Sequence, residues 1–274
     1  MIVFPNCKIN LGLYITAKRE DGYHAIETIF YPVPFCDMLE VVPAKAQADY
    51  RLEQTGLSIA GDTDQNLCVK AYQLLKKDFP SLPSVAIYLH KQIPTGAGLG
   101  GGSADGAFML SLLTARFKLS VNKEQLQDYA LQLGSDCPFF LENKPVLASG
   151  RGEKMQPVSL PLKGWHLVLL FAGLHIATKE AFDGCRPRQA PGAWEQLIQG
   201  PVSRWKDSIQ NQFEETVFVK HPPLATAKQL LYDLGAVYAS MTGTGSTLFG
   251  LFSDKPDLQL LSARSGYTAR HFIL

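Results

Sequence analysis

The chain has 274 residues, 46% of them hydrophobic and 19% charged, with a formal net charge of +1. That length buries a sizeable core and is comfortable for two domains. The near-zero charge offers no long-range attraction to nucleic acid.

Five cysteines (7, 36, 68, 137 and 185) contain no CxxC pair, and the six histidines have no metal-type spacing. A disulfide framework and a structural metal are therefore not expected, and a reducing compartment fits. The opening MIVFPNCKIN lacks the basic head and long apolar stretch of a signal peptide, and LVLLFAGL at 167–174 is far too short to cross a bilayer. A soluble cytoplasmic protein is expected.

In chain order, Cys7 to Ile15 alternates, with Ile9, Leu11, Leu13 and Ile15 on one face of a strand and Lys8, Asn10 and Gly12 on the other. The charged turn KREDG at 18–22 leads to a second strand, HAIETIFYPV. LEVVP at 39–43 and YRLEQTG at 50–56 read as further strands, Asn66 to Phe79 as a helix, and VAIYLHK at 85–91 as a strand. A dense apolar helix is expected over Ala104–Phe117 with Ser103 at its N-cap, and Asn122 with Gln125 makes a capping box for a helix ending at Leu133. VLASGRGEKM at 146–155 reads as a glycine turn between short strands. The second half offers the strand HLVLLF, an irregular stretch at 184–201, helices near 203–219 and 223–234, and a strand near 236–240. Another glycine turn, the strand STLFGLF, and a terminal helix and strand complete it. Strands first and mixed elements later predict two α+β domains, 1–153 and 154–274.

Between Pro94 and Phe108 stands PTGAGLGGGSADGAF, in which six of the eleven residues from Gly96 to Gly106 are glycine. Backbone without Cβ atoms can bring several N–H groups to one point, and a helix start adds partial positive charge, so the pattern predicts an anion cradle, most often for phosphate. A flexible surface loop is the rival reading, but it does not explain why the glycines end against an apolar helix. There is no GxxxxGK[ST], so a P-loop is excluded. Gly96-x-Gly98-x-x-Gly101 satisfies the dinucleotide fingerprint, yet a second helix follows where a strand ending in an acid is required. No GxSxG surrounds Ser103 or Ser246, which leaves a serine hydrolase without support. A Cβ at Gly100 or Gly101 is expected to block phosphate approach and leave the fold intact.

PTGAGLGGGSADGA resembles the second signature of the GHMP kinases (galactokinase, homoserine kinase, mevalonate kinase and phosphomevalonate kinase). PNCKINLGLYI resembles their first signature and MTGTGSTLFGLF at 241–252 their third, so the likeness covers nearly the whole chain. REDGYH and GSDCPFF resemble the branch that phosphorylates the 2-hydroxyl of a cytidine-diphosphate-linked methylerythritol on the non-mevalonate route to isoprenoids. Asn6, Cys7, Ser135 and Cys137 depart from that branch's pattern without removing a charged group; they are expected to shift pocket size and thiol sensitivity.

The resemblance implies a two-domain α+β fold, with an N-terminal domain like ribosomal protein S5 domain 2 and a ferredoxin-like C-terminal domain. It implies an ATP-dependent small-molecule kinase with Mg²⁺ on the nucleotide. By the same likeness Lys8 and Asp136 are catalytic, and Asn66, Pro94, Thr95, Gly96, Ala97, Gly98, Leu99, Gly100, Gly101, Gly102, Ser103 and Ala104 bind ATP. Asn10, Tyr23, His24, Phe30, Thr178 and Phe182 are assigned to the cytidylated sugar alcohol, with the tyrosine and histidine on the cytosine ring. Taken alone, each has a plainer reading: Lys8 as a solvated lysine, Asp136 and Asn66 as helix caps, the aromatics as sheet packing, His24 as a core histidine. The Gly243/Gly245 turn is either a tight hairpin or a partner of the phosphate loop. No dedicated metal ligand is assigned, although Ser103 and Asp105 are candidates. The partner expected is a small molecule, with no nucleic acid and no membrane, for a monomer or weak homodimer. Another small-molecule kinase of the family, or an inactive nucleotide-binding protein of the same fold, stays open.

Overall fold

Asn6–Lys18 is a strand of 13 residues whose first ten are buried on both faces, although it stands at the edge of its sheet. The computed structural model describes residues 1–44, 49–58 and 62–274. The chain forms two compact units: Met1–Cys7 with Phe35–Thr95 and Gly100–Lys144, and Lys8–Pro34 with Gly96–Leu99 and Pro145–Leu274.

The first unit has a four-stranded sheet in the order Ile2–Val3, Met38–Pro43, Val85–Lys91, Tyr50–Gly56. Its last pair is parallel, from Tyr50 opposite Val85 to Gly56 opposite Lys91, and the Leu67–Asp78 helix lies in the crossover that parallel pairing requires. The Gly101–Arg116 helix packs on Leu67–Asp78, and Lys123–Leu133 and Cys137–Glu142 pack on it in turn. That contact requires a glycine at 106, because a Cβ there would lie 2.9 Å from the Leu67 Cβ.

The second unit holds most of a sheet ordered Asn6–Lys18, His24–Cys36, Val146–Gly150, Lys154–Pro157. It also holds an antiparallel sheet ordered Tyr238–Met241, Leu248–Phe252, His166–Phe171, Thr268–Ile273. Leu13 and Ile15 from the first sheet share one core with Val168 and Leu170 from the second and with Leu224 and Leu231 of the Pro222–Asp233 helix. The α+β reading holds. Among the described residues no helix is long and apolar enough to cross a membrane.

Three local expectations change. The glycine-rich helix begins at Gly101, with Gly100 at its N-cap in the left-handed region, so Ser103 is the third helical residue and not the cap. The stretch expected to be irregular contains a helix, Trp194–Gln199. The expected helix over 203–219 is broken into Trp205–Ser208 and Glu214–Lys220. The break has a physical cause, since the backbone at 210–212 pairs with the strand instead: Leu13 N–H donates to Gln210 O at 2.9 Å and Gln212 N–H to Leu13 O at 2.8 Å.

Asn211, buried in that break, ties it to the glycine turn. Its Nδ2 donates to Met241 O and Gly243 O, both at 2.8 Å, and its Oδ1 accepts from Phe213 N–H at 3.0 Å. Asn211→Ala strands these buried groups and should cost at least about 2 kcal/mol of stability, read by chemical denaturation. A loss of less than about 0.5 kcal/mol would remove Asn211 as the tie.

Candidate functional site

Glycine serves the 96–102 loop in three different ways. Gly96, Gly98 and Gly100 have φ of +67°, +77° and +68°, a region costly for other residues. At Gly98 space is decisive as well, since a Cβ would sit 2.0 Å from the Thr242 carbonyl oxygen. Gly101 is buried, and a Cβ there would meet Ile93 Cγ2 at 2.7 Å. The expectation that a side chain at Gly101 spares the fold is therefore corrected: that position is glycine for packing. At Gly102 a Cβ meets nothing within 4 Å. The first bond past the cap is Ala104 N–H to Gly100 O at 2.9 Å, so the amides of Gly101, Gly102 and Ser103 precede the helical ladder, as at any helix start. A bare, open helix N-terminus of this kind has the chemistry of an anion site.

In the second unit Thr242 joins the strand to the loop. Its Oγ1 accepts from Asn10 N–H at 3.0 Å and lies 3.0 Å from Gly98 O and 3.3 Å from Asn10 Oδ1, either of which it can donate to. Lys8 N–H donates to Leu99 O at 3.0 Å. The Gly243/Gly245 turn is thus both a hairpin link, with Thr242 N–H bonded to Thr247 O, and a partner of the loop. The Lys8 side chain is not solvated: the residue is only 4% exposed. Its Nζ donates to Asn10 Oδ1 at 2.6 Å and stands 4.7 Å from the Phe30 ring centroid. Asn10 Nδ2 donates to Thr28 Oγ1 at 2.9 Å, which fixes the amide's orientation toward Lys8. Phe30 is buried beneath the ammonium, an aromatic face that a cation favours.

The same unit brings His24 and Phe182 together as stacked rings with centroids 4.5 Å apart, and Phe213 meets Phe182 edge-on. Burial, with help from the Lys18 charge, lowers the His24 pKa, so the imidazole is neutral near pH 7 and offers both a donor and an acceptor. Tyr23 is 53% exposed, and the Arg151 guanidinium lies 3.8 Å from its ring centroid. Thr178 begins the short Thr178–Phe182 helix and is exposed, one turn before Phe182.

In the first unit, Asn66 caps the Leu67–Asp78 helix, its Oδ1 accepting from Cys68 N–H at 2.9 Å. Asp136 occupies the N-cap position of Cys137–Glu142, yet its side chain makes no capping bond. The Cys137 thiol is buried and pushed up to about 12, against a hydrogen bond with Ser103; the departure at 137 therefore introduces no reactive thiolate. Asp105, a candidate for metal, is instead buried on Lys91 at 2.7 Å. Pro94 and Thr95 lead into the loop, half-buried and exposed respectively, and Ala97, Leu99 and Ala104 are buried.

Thr242 and Arg151 were not singled out by sequence. Thr242 stands in a quoted signature, which is a usable signal; Arg151 in GRGEK carries none.

Residues 66–144 match the family model of the GHMP kinases N terminal domain, and 195–264 that of the GHMP kinases C terminal domain. A 4-diphosphocytidyl-2-C-methyl-D-erythritol kinase of Bacteroides fragilis is 47% identical over 268 residues, covering 97% of each chain. One of Cytophaga hutchinsonii is 46% identical over 258 residues, covering 94% of each. The crystal structure of a 4-(cytidine 5'-diphospho)-2C-methyl-D-erythritol kinase superposes with a TM-score of 0.83 at 30% identity, covering 99% of this chain and 98% of that one. A homoserine kinase of Cytophaga hutchinsonii shares the fold, with a TM-score of 0.71 at 16% identity over 97% of this chain and 93% of its own.

The glycines at 101 and 102 separate packing from openness. Gly101→Ala should destabilise by about 1–2 kcal/mol, because overpacking against Ile93 exceeds the gain in helix propensity. Gly102→Ala should be neutral or stabilising by up to about 1 kcal/mol. Thermal denaturation of the two variants reads the difference, and equal stabilities would contradict it.

Proposed function

The chain belongs to the GHMP kinase family, and we propose that it transfers the γ-phosphoryl group of ATP to the 2-hydroxyl of 4-diphosphocytidyl-2-C-methyl-D-erythritol, a step toward isoprenoid precursors. The observation that carries this reading is the junction at Thr242, where the strand bearing Lys8 and Asn10 is bonded to the glycine loop. The family likeness supports the residue roles that follow.

Phosphoryl transfer is mostly positioning and charge neutralisation. The amides of Gly101, Gly102 and Ser103 receive ATP phosphates at the open helix start, and Asn66 lies on the adenine side. The attacking 2-hydroxyl oxygen forms a bond to the γ-phosphorus as the bond to the β–γ bridging oxygen breaks, and ADP leaves. Asp136 takes the hydroxyl proton. The Lys8 ammonium, oriented by Asn10 and Phe30, offsets charge on the transferred group. Mg²⁺ bound with the nucleotide would neutralise phosphate charge. Among the described residues no group of three or more His, Cys, Asp or Glu could hold a metal; Ser103 is the side chain proposed to help hold the ion. The cytosine is held by Tyr23, His24 and Phe182, with Thr178 near the acceptor.

We also propose the division into N- and C-terminal kinase domains at 153/154; the two family matches, ending at 144 and starting at 195, support it. The reading includes a cytoplasmic enzyme, monomeric or weakly dimeric, that engages neither nucleic acid nor membrane; the net charge of +1 supports the absence of a nucleic-acid partner.

Steady-state kinetics of four variants test the roles. Asp136→Asn should lower kcat by about 10²–10⁴-fold, and Lys8→Ala by a comparable factor, with smaller changes in KM. Tyr23→Ala and His24→Ala should raise KM for the cytidylated substrate by about 5- to 150-fold, the equivalent of about 1–3 kcal/mol, and leave KM for ATP nearly unchanged. Normal turnover in either of the first pair, or an effect on ATP alone in the second, would remove the residue from its role.

A further inference from the structure

We infer that Lys91, Asp37 and Asp105 form a positioning triad that pins the two ends of the glycine loop to each other, and that the loop's grip on ATP depends on it. The inference rests on the reading of that loop as the phosphate site.

Lys91 is the last residue of the Val85–Lys91 strand, which leads through 92–95 into the loop, and Asp105 lies in the Gly101–Arg116 helix that follows it. Lys91 Nζ donates to Asp105 Oδ2 at 2.7 Å and also to Asp37 Oδ2, with all three side chains essentially excluded from solvent. Asp37 Oδ1 accepts from the backbone amides of Gln92 at 2.6 Å and Ile93 at 2.9 Å. One carboxylate therefore fixes the entry to the loop, the other fixes its exit, and the ammonium joins them. The spacing is tight, because Ile93 fills the place a side chain at Gly101 would take.

Stability does not explain this arrangement. Desolvating three charged groups is costly, and apolar residues of similar volume often serve a core as well or better. Asp105 also keeps Oδ1 buried without a partner, a further cost. Burial pushes its carboxyl up to about 7, against the pull of Lys91. Direction is what the triad supplies: charge-assisted bonds set the angle and distance between strand end and helix start in a way that aliphatic packing does not.

Asp105→Leu keeps the branched shape, with a larger volume, and removes the helix-side tie, and Asp105→Asn retains an acceptor for Lys91. The expected result for Asp105→Leu is cooperative unfolding, a KM for ATP raised about tenfold or more, and a KM for the cytidylated substrate within about twofold of the parent. Asp105→Asn should restore most of the ATP affinity. Independently of any ligand, amide hydrogen exchange should quicken at 92–93 and 104–106 in both variants while the Lys123–Leu133 helix is unchanged. A folded Asp105→Leu with the parent's KM for ATP overturns the proposal. So does exchange that rises uniformly, which would mean a general loss of stability, and this readout stands with Asp105→Asn if the leucine variant does not fold. Gly102→Val is the control: if it leaves KM for ATP unaltered, the loop is not the phosphate site, and local exchange alone then decides whether the triad positions it.

Discussion

One hydroxyl, that of Thr242, holds together three stretches of chain that lie far apart in sequence. It accepts from the amide of Asn10, faces the Gly98 carbonyl, and begins the turn whose Gly243 packs on Gly98. The neighbouring bond from Lys8 N–H to Leu99 O adds a second tie between strand and loop. Without a glycine at 98 the approach is impossible, since any Cβ would overlap the Thr242 carbonyl. The loop's form on this side is thus imposed by backbone meeting backbone, which tolerates little change.

The cost of that arrangement is concentrated at Lys8. A buried ammonium loses its hydration and must be compensated by fixed dipoles. Asn10 supplies one, and the Phe30 face a weaker one. Asn10 can present its oxygen because its own nitrogen is occupied by Thr28, whose hydroxyl in turn donates to Gly12 O. The chain of donors runs from Lys8 and Asn10 on one strand to Thr28 on the next and back to the first at Gly12. A group prepared in this way, rather than left to water, suits a reaction in which new charge develops on a phosphoryl group.

Much of this was legible in the sequence where local rules act alone. The strand periods at 50–56 and 85–91, and the Asn122/Gln125 capping box, appear where they were expected. The glycine loop, Lys8 and Asn10 were visible as motifs. What was not legible depends on distant partners. Ser103 looks like a cap, but Gly100 reaches the left-handed region and starts the helix three residues early. The 203–219 helix breaks because Leu13, nearly two hundred residues away, claims its backbone. That Gly101 must be glycine for packing as well is revealed only by the position of Ile93. Asp105 reads as a helix-start acid, and nothing local indicates that Lys91 and Asp37 meet it in the interior.

The central claim is that this kinase recognises its acceptor through the cytidine group and not through the sugar alcohol alone. The most direct measurement is phosphate transfer from ATP by the unaltered protein across a panel of acceptors: the cytidylated methylerythritol, its uridylated analogue, methylerythritol phosphate and free methylerythritol. Efficient transfer is expected to the cytidylated compound, and transfer to the two acceptors without a base should be lower by two or more orders of magnitude in kcat/KM, with the uridylated analogue in between. Comparable kcat/KM for methylerythritol phosphate and the cytidylated compound would contradict it.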